Sequence, residues 1–227
     1  MRDPDSYKLP QLMPGGAKVV VPVRMDLSSQ TAIEQSVQEL GDDADRIDLL
    51  INNAGALSVG LLEEQDTDAI YNMVQVNLSA VMQLTKMLLP QMLERKHGKI
   101  VNNASISGYA YLPLTTTYAA TKAGVVAFSE ALRRELADTG VSVLHLVTPG
   151  VQTDMLGETI DQYEGRFDTS NWGSMPAAEW AEKVIEAIEK DESVLGPGGK
   201  VALAKLLSRG PGRLLDSVSG RMFSRNP

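Results

Sequence analysis

Short apolar runs alternate with longer stretches of helical period along this chain. Residues 18–23, after the turn signal Pro14-Gly15-Gly16, are β-branched and predict a first strand. Ser28 or Ser29 can cap a helix that runs to Leu40, with Gly41 as its stop. Residues 47–51 predict a second strand, ending in Asn52-Asn53-Ala54-Gly55. From 67 to 94 the apolar positions Ile70, Met73, Val74, Leu78, Val81, Leu84 and Leu88 recur at helical spacing, and Pro90 is expected to kink or end that helix. Residues 99–103 predict a third strand, 116–138 a helix stopped by Thr139-Gly140, and 141–147 a fourth strand that ends in Thr148-Pro149-Gly150. Residues 151–176 lack a period and hold Gly157, Gly165, Gly173 and Pro176, so they predict a long mobile loop. A helix over 177–189 and a last short strand at Val194-Leu195 complete the pattern.

Strand–helix–strand repetition with buried-type strands implies an α/β fold, a parallel sheet covered by helices. Right-handed crossovers leave a doubly wound sheet as the expected solution. Ligands bind such sheets at the carboxyl ends of the strands, which points to residues 52–55, 104–108 and 148–153.

Composition narrows the classes. The 227 residues contain no cysteine, which excludes disulfides and thiolate metal sites, and two histidines, His97 and His145, make a multi-histidine metal centre unexpected. We expect no metal, with His97 in a solvated turn and His145 packed in the core. The net charge of −8 argues against nucleic acid as a partner. No apolar run of membrane-spanning length and no signal-peptide pattern occur, so a cytoplasmic protein is expected. The charge is uneven: residues 200–227 hold six basic side chains and one acid, net +5, against −13 for the rest. Residues 196–227 therefore read as a basic amphipathic extension beyond a main domain at 1–195. Self-packing or subunit contact is favoured for it over a membrane surface.

Candidate chemistry centres on Tyr118 and Lys122, four residues apart and therefore stacked on one helix face. A nearby ammonium favours the phenolate, whereas burial alone raises a phenol's pKa. A tyrosine tuned in this way can move a proton at a substrate oxygen. Ser105 follows the third strand at its carboxyl end, Asn77 sits mid-helix where an amide is a poor helix former, and the small residues Asn53, Ala54 and Gly55 would admit a cofactor to the backbone. Singly, these are a half-buried tyrosine with a solvated lysine, a loop hydroxyl, a satisfied core amide and a turn. Their joint order on the expected elements is what singles them out. A serine hydrolase is discarded, because Asn103 and Ser107 stand where a nucleophile elbow requires glycine.

In these strings the chain resembles the short-chain dehydrogenase/reductase family. The matching motifs are Asp26-Leu27, Asn52-Asn53-Ala54-Gly55, Asn77 in Val-Asn-Leu, Ser105 in Val-Asn-Asn-Ala-Ser-Ile-Ser-Gly, Tyr118-x-x-x-Lys122 and Pro149-Gly150, across residues 2–192. The resemblance implies a Rossmann-like fold and an NAD(P)-dependent oxidoreductase that interconverts a carbonyl and a secondary alcohol. It makes Tyr118 the acid/base. Lys122 holds the nicotinamide ribose and lowers the Tyr118 pKa, Ser105 bonds the substrate oxygen, and Asn77 holds a water that links Lys122 to solvent. Asp26 and Leu27 would flank the adenine, Asn53, Ala54 and Gly55 its ribose, and Pro149, Gly150, Gln152 and Thr153 the nicotinamide. The loop at 151–176 takes the place of a substrate lid, whose Met155, Leu156, Ile160, Tyr163, Phe167 and Trp172 could form apolar walls with Tyr109, Tyr111 and Leu112. The family's usual pairing of long helices implies a homodimer or homotetramer.

Two departures qualify the resemblance. The family's Thr-Gly-x-x-x-Gly-x-Gly turn, which holds the pyrophosphate at a helix N-terminus, occurs nowhere in the 227 residues. Residues 18–23 match the family's third strand, so the expected fold is N-terminally truncated, without its first strand–helix–strand unit. Arg2 stands where relatives that prefer NADP carry a basic residue, which tilts the expectation from NAD toward NADP. After Pro149-Gly150 there are two residues before Thr153 instead of three, so Thr153 could instead cap the next helix. The alternative to an enzyme is a non-catalytic module or fragment that cannot hold the dinucleotide.

Overall fold

The computed structural model describes residues 19–163, 165–168, 173–196 and 223–225. Its main sheet has four parallel strands in the order β1-β2-β3-β6: β1 (Leu49–Asn52), β2 (Gly98–Asn103), β3 (Val141–Leu146) and β6 (Val194–Leu195). Successive side chains point to opposite faces. Ile100 and Val143 therefore pack with Met92, Leu132 and Leu136 of α3 (Ala80–Arg95) and the α4 region (Thr116–Glu135). Val101 and Leu144 pack on the other face with Trp180 and Ala187 of α6 (Ala177–Glu189). This is the helix-covered parallel sheet that the strand–helix pattern implies.

The first helix, α1 (Gln30–Glu39), starts where the sequence places it. Ser29 caps it by accepting from the Ala32 N–H at 3.2 Å. The helix ending before Gly140 stops at Glu135, three residues earlier than expected. There the chain reverses through Asp138 at φ 63° and Gly140 at φ 83°. A Cβ on Gly140 would overlap the Lys96 carbonyl, so this turn requires glycine.

Three expectations are corrected. Residues 19–23 are not a strand: no other described strand pairs with them, and Val19 and Val21 remain exposed. A β-branched run needs a neighbour to satisfy its backbone, and among the described residues β1 pairs only with β2. Lys18 lies outside the described residues. The helix over 67–94 is not uniform. It comprises α2 (Thr67–Val74), a π-type turn at Gln75–Ser79, and α3, which passes through Pro90 without ending there. The stretch 151–176 is not a structureless loop. It contains β4 (Gly150–Gln152), α5 (Asp154–Gln162) and β5 (Ser174–Pro176), which pairs parallel with β4.

Tertiary contacts order that last stretch. Tyr163 and Phe167 are buried with Leu114 and packed by Leu112, Val59 and Phe223. Phe223 bridges antiparallel to Phe167, the Ser224 N–H donates to the Arg166 carbonyl at 2.8 Å, and Arg225 pairs with Glu63. The described end of the basic extension thus rests on its own domain, although the rest of it, like Arg2 and Trp172, lies outside the described residues. No helix among the described residues is long and apolar enough to cross a membrane.

Candidate active site

The site forms at the carboxyl ends of β1, β2 and β3. β2 ends at Asn103, and the chain then turns through Ser105 into a single 3-10 turn at Ile106–Gly108, where Ser105 Oγ accepts from the Ser107 N–H at 3.1 Å. The Ile106 N–H donates to the Thr148 carbonyl at 3.0 Å and so ties this turn to the end of β3. The turn also lies against α4: a Cβ on Gly108 would stand 2.9 Å from the Lys122 carbonyl oxygen. Only glycine permits that approach, which sets Ser105 beside the helix face that carries Tyr118 and Lys122.

Lys122 is 4% exposed, and its ammonium donates to the Asn103 carbonyl at 2.8 Å. Its Nζ lies 5.7 Å from the centroid of the Tyr118 ring. Burial lowers the Lys122 pKa to about 8. Burial also raises the Tyr118 phenol above its ordinary 10.0, and the facing Ser105 hydroxyl draws it partly back. The expectation that Lys122 depresses the Tyr118 pKa is therefore corrected: desolvation dominates at both groups. As arranged, Tyr118 keeps its proton at neutral pH and can act as a proton donor.

Asn77 occupies the π-type turn, a distortion that helices often carry at functional sites. Its side chain is buried and satisfied on both sides: Oδ1 accepts from the Ala56 N–H at 2.7 Å, and Nδ2 donates to the Ala56 carbonyl at 2.8 Å and to Thr121 Oγ1 at 3.2 Å. This clamp fixes the loop after β1 to the two helices. A Cβ on Gly55 would stand 3.4 Å from Asn77 Oδ1 and 3.8 Å from Lys122 Nζ, so Gly55 brings the loop close to both.

The remaining cofactor candidates divide. Leu27, Asn53 and Ala54 line one cleft of about 280 Å³ along the free edge of β1, together with Leu50, Ile51 and Val76. The Asp26 carboxylate is not part of that lining. It accepts from the Ser28 N–H and hydroxyl at 3.0 and 2.7 Å in the turn before α1. Pro149 leads into β4, where Gly150 passes close to the Gly173 carbonyl. Gln152 is exposed and donates to Ser174 Oγ at 3.3 Å. Thr153 Oγ1 accepts from the Leu156 N–H at 3.4 Å, the helix-capping role open to it from its spacing.

Sequence reasoning missed the asparagine ladder beneath these residues. The pairing of Asn52 with Asn102 puts two Asn-Asn steps side by side. Asn52 Nδ2 donates to Asn102 Oδ1 at 2.8 Å, and Asn102 Nδ2 donates to Ser129 Oγ at 3.0 Å. One residue further on, Asn103 Nδ2 donates to Asn53 Oδ1 at 2.9 Å, and Thr148 Oγ1 donates to Asn103 Oδ1 at 2.5 Å. The repeated Asn-Asn at two strand ends was the available signal.

The short chain dehydrogenase family model matches residues 8–164. The chain is 37% identical over 147 residues to the ketoacyl reductase HetN of Nostoc sp., covering 65% of this chain and 50% of that protein. It is 31% identical over 171 residues to the 3-oxoacyl-[acyl-carrier-protein] reductase FabG of Haemophilus influenzae, covering 74% of this chain and 70% of that one. Among solved structures, a short-chain dehydrogenase from Sphingobium yanoikuyae in complex with NADPH superposes with a TM-score of 0.69 at 25% identity, over 88% of this chain and 72% of its own. A short chain dehydrogenase from Burkholderia cenocepacia in complex with NADP shares the fold, with a TM-score of 0.72 at 23% identity over 89% and 79% of the two chains. The family match thus spans β1, β2 and β3, the Ser105 turn and the Tyr118–Lys122 helix face, and the chain belongs to the short-chain dehydrogenase family.

Proposed function

We propose that this chain supplies the proton-transfer half of an NAD(P)-dependent reduction of a carbonyl to a secondary alcohol. The observation that carries the reading is the Tyr118 phenol facing Ser105 on the helix face of the buried Lys122, whose Nζ lies 5.7 Å from the Tyr118 ring centroid. Tyr118 donates its proton to the substrate oxygen, and the Ser105 hydroxyl bonds that oxygen as charge develops on it. Lys122, held by the Asn103 carbonyl, bonds the ribose next to the reacting ring, and Asn77 keeps the loop at 55–56 in place for it. The nicotinamide, when bound, supplies the hydride. NADP is favoured over NAD by Arg2 alone, since the structural relatives carry either cofactor, NADPH in one and NADH in another.

The substrate class we propose is a 3-oxoacyl thioester, because both curated relatives bear names of ketoacyl reductases. NADPH consumption with a short 3-oxoacyl thioester tests the reading. Tyr118→Phe is expected to lower kcat by about a thousandfold at unchanged thermal midpoint, within the usual range for a general acid. Equal turnover in that variant overturns the mechanism. Tyr71, Val74 and Met82 on α2 and α3 are exposed apolar side chains that support subunit pairing, and sedimentation as a monomer refutes that part.

We infer further that the family's pyrophosphate turn has no counterpart in these 227 residues. Its motif is missing, residues 19–23 lie outside the sheet, and Leu49 and Ile51 of β1 stay 40% and 46% exposed. The residues present suit the ribose and nicotinamide end of the cofactor, and not its pyrophosphate. Calorimetry with NADPH decides: micromolar binding by this chain would show that the turn is dispensable.

A further inference from the structure

His145 is 1% exposed in the middle of β3, yet both of its ring nitrogens face polar groups from other elements. Nε2 lies 3.0 Å from the Tyr109 hydroxyl, and Nδ1 lies 3.7 Å from Glu130 Oε1. The Tyr109 and His145 rings stack at 27° with centroids 6.5 Å apart. The carboxylate favours the proton on Nδ1, which leaves Nε2 to accept from the Tyr109 O–H. Glu130 is held in turn by Arg134 at 2.9 Å and Arg133 at 3.3 Å.

The ends of this chain of contacts are significant. Tyr109 follows directly on the 3-10 turn that Ser105 opens. Glu130 lies on α4 two helical steps beyond Lys122, on the face that runs through Tyr118, Lys122 and Val126. Val126 packs with Tyr109 and Val147. The near end of the Ser105 turn is tied by the Ile106 N–H to the Thr148 carbonyl, and the far end by the Tyr109 side chain. A leucine would fill the His145 position in β3 as Leu144 and Leu146 fill theirs. It would leave the far end of the turn without direction, because apolar contact fixes volume and not angle.

We propose that Tyr109, His145 and Glu130 form a positioning strut that sets the distance between Ser105 and the Tyr118–Lys122 face. The strut rests on the reading of these residues as the reaction site, and acts through Ser105 without touching substrate. The test compares Tyr109→Phe and His145→Leu with the unaltered chain, and adds Glu130→Gln, which removes the charge and keeps a polar oxygen facing His145 Nδ1. Amide hydrogen exchange is read at Gly108, Tyr109 and Ala110, whose N–H groups bond within the turn, and at the β2 and β3 amides as controls. Tyr109→Phe and His145→Leu are expected to speed exchange in the turn at least tenfold and to leave β2 and β3 unchanged. Glu130→Gln is expected to retain most of the protection. Where NADPH-dependent turnover of a 3-oxoacyl thioester is measured, kcat falls about tenfold with the KM for NADPH unchanged. Unchanged exchange in the turn, or equal acceleration across the sheet, overturns the strut. A chain with no turnover but with the selective exchange pattern refutes the reaction and upholds the strut.

Discussion

Lys122 is where fold and chemistry oppose each other most directly, and Lys122→Met exposes the conflict. Burial lowers the lysine from 10.5 to about 8, so an ammonium held in the fold at pH 7 costs about 3 kcal/mol relative to the same group in water. Methionine removes that cost and fits the same channel. It also strands the Asn103 carbonyl, which loses a donor at 2.8 Å and costs about 1–3 kcal/mol. The net change at pH 7 is small, from neutral to about 2 kcal/mol more stable. The pH dependence separates these contributions. Between about 8 and 10.5 the unfolded chain holds a proton on Lys122 that the folded chain has released, so stability rises with pH. The unaltered chain should gain about 2 kcal/mol from pH 7 to 9.5 that the methionine variant does not gain, since all other titrating groups are shared. Urea unfolding at pH 7, 8.5 and 9.5 measures the difference. Parallel stability curves for the two chains would refute the claim that the amine is held against its own solvation.

Three further outcomes follow from the geometry. Gly108→Ala drives a methyl to 2.9 Å from the Lys122 carbonyl and should cost about 1–3 kcal/mol in chemical unfolding, with kcat lowered more than the KM for NADPH; a neutral substitution would show that the turn does not lie against α4. Asn102→Ala leaves Asn52 with a single 3.4 Å contact to Thr85 and should cost about 2–4 kcal/mol, while a loss under about 1 kcal/mol would show the ladder to be dispensable. Phe223→Ala should speed proteolysis between 162 and 168 without moving the global unfolding midpoint, and equal proteolysis would show that Phe223 does not brace the Tyr163–Phe167 cluster.

The sequence is most legible where local pattern and tertiary demand coincide. Residues 177–189 alternate apolar and charged positions at helical spacing, and α6 has those bounds. Tyr118 and Lys122 are legible because a helix makes their spacing a spatial fact. Residues 19–23 are illegible for the opposite reason: a β-branched run states a preference, but a strand exists only with a partner, and no window of sequence shows whether one is present. The helix in 151–176 was hidden by its glycines, and contacts from Leu112, Leu114 and Phe223, all distant in sequence, order its neighbourhood. The direction of the Tyr118 pKa shift was beyond reach too, since it depends on whether desolvation or the ammonium dominates. That balance is set by the position of Lys122 Nζ, drawn to the Asn103 carbonyl.

These contacts explain why the site is built from amides and backbone carbonyls around one buried charge. In a solvated cleft a lysine would be fully protonated and weakly directional. Here the Asn52–Asn102–Ser129 and Asn53–Asn103–Thr148 bonds cross from strand to strand and set the Asn103 carbonyl, which in turn aims Lys122. Asn102 and Asn103 each donate and accept, so the ladder carries direction across β1, β2 and the end of β3 without adding a second charge. An aspartate at Asn103 would lose the amide donor to Asn53 Oδ1 and loosen the bond that sets the backbone carbonyl held by Lys122. The partner that Lys122 does have is the neutral backbone carbonyl of Asn103, so the ammonium is held without a counter-charge. The edge position of β1 makes this ladder vulnerable, because Asn52 ends, and Asn53 follows, a strand that pairs with one neighbour among the described residues. A chain or segment that supplied a second neighbour to β1 should therefore raise hydrogen-exchange protection at Asn52 and Asn53 and, through Asn103, at Thr148. Protection confined to β1 would show that the ladder does not transmit order to the lysine.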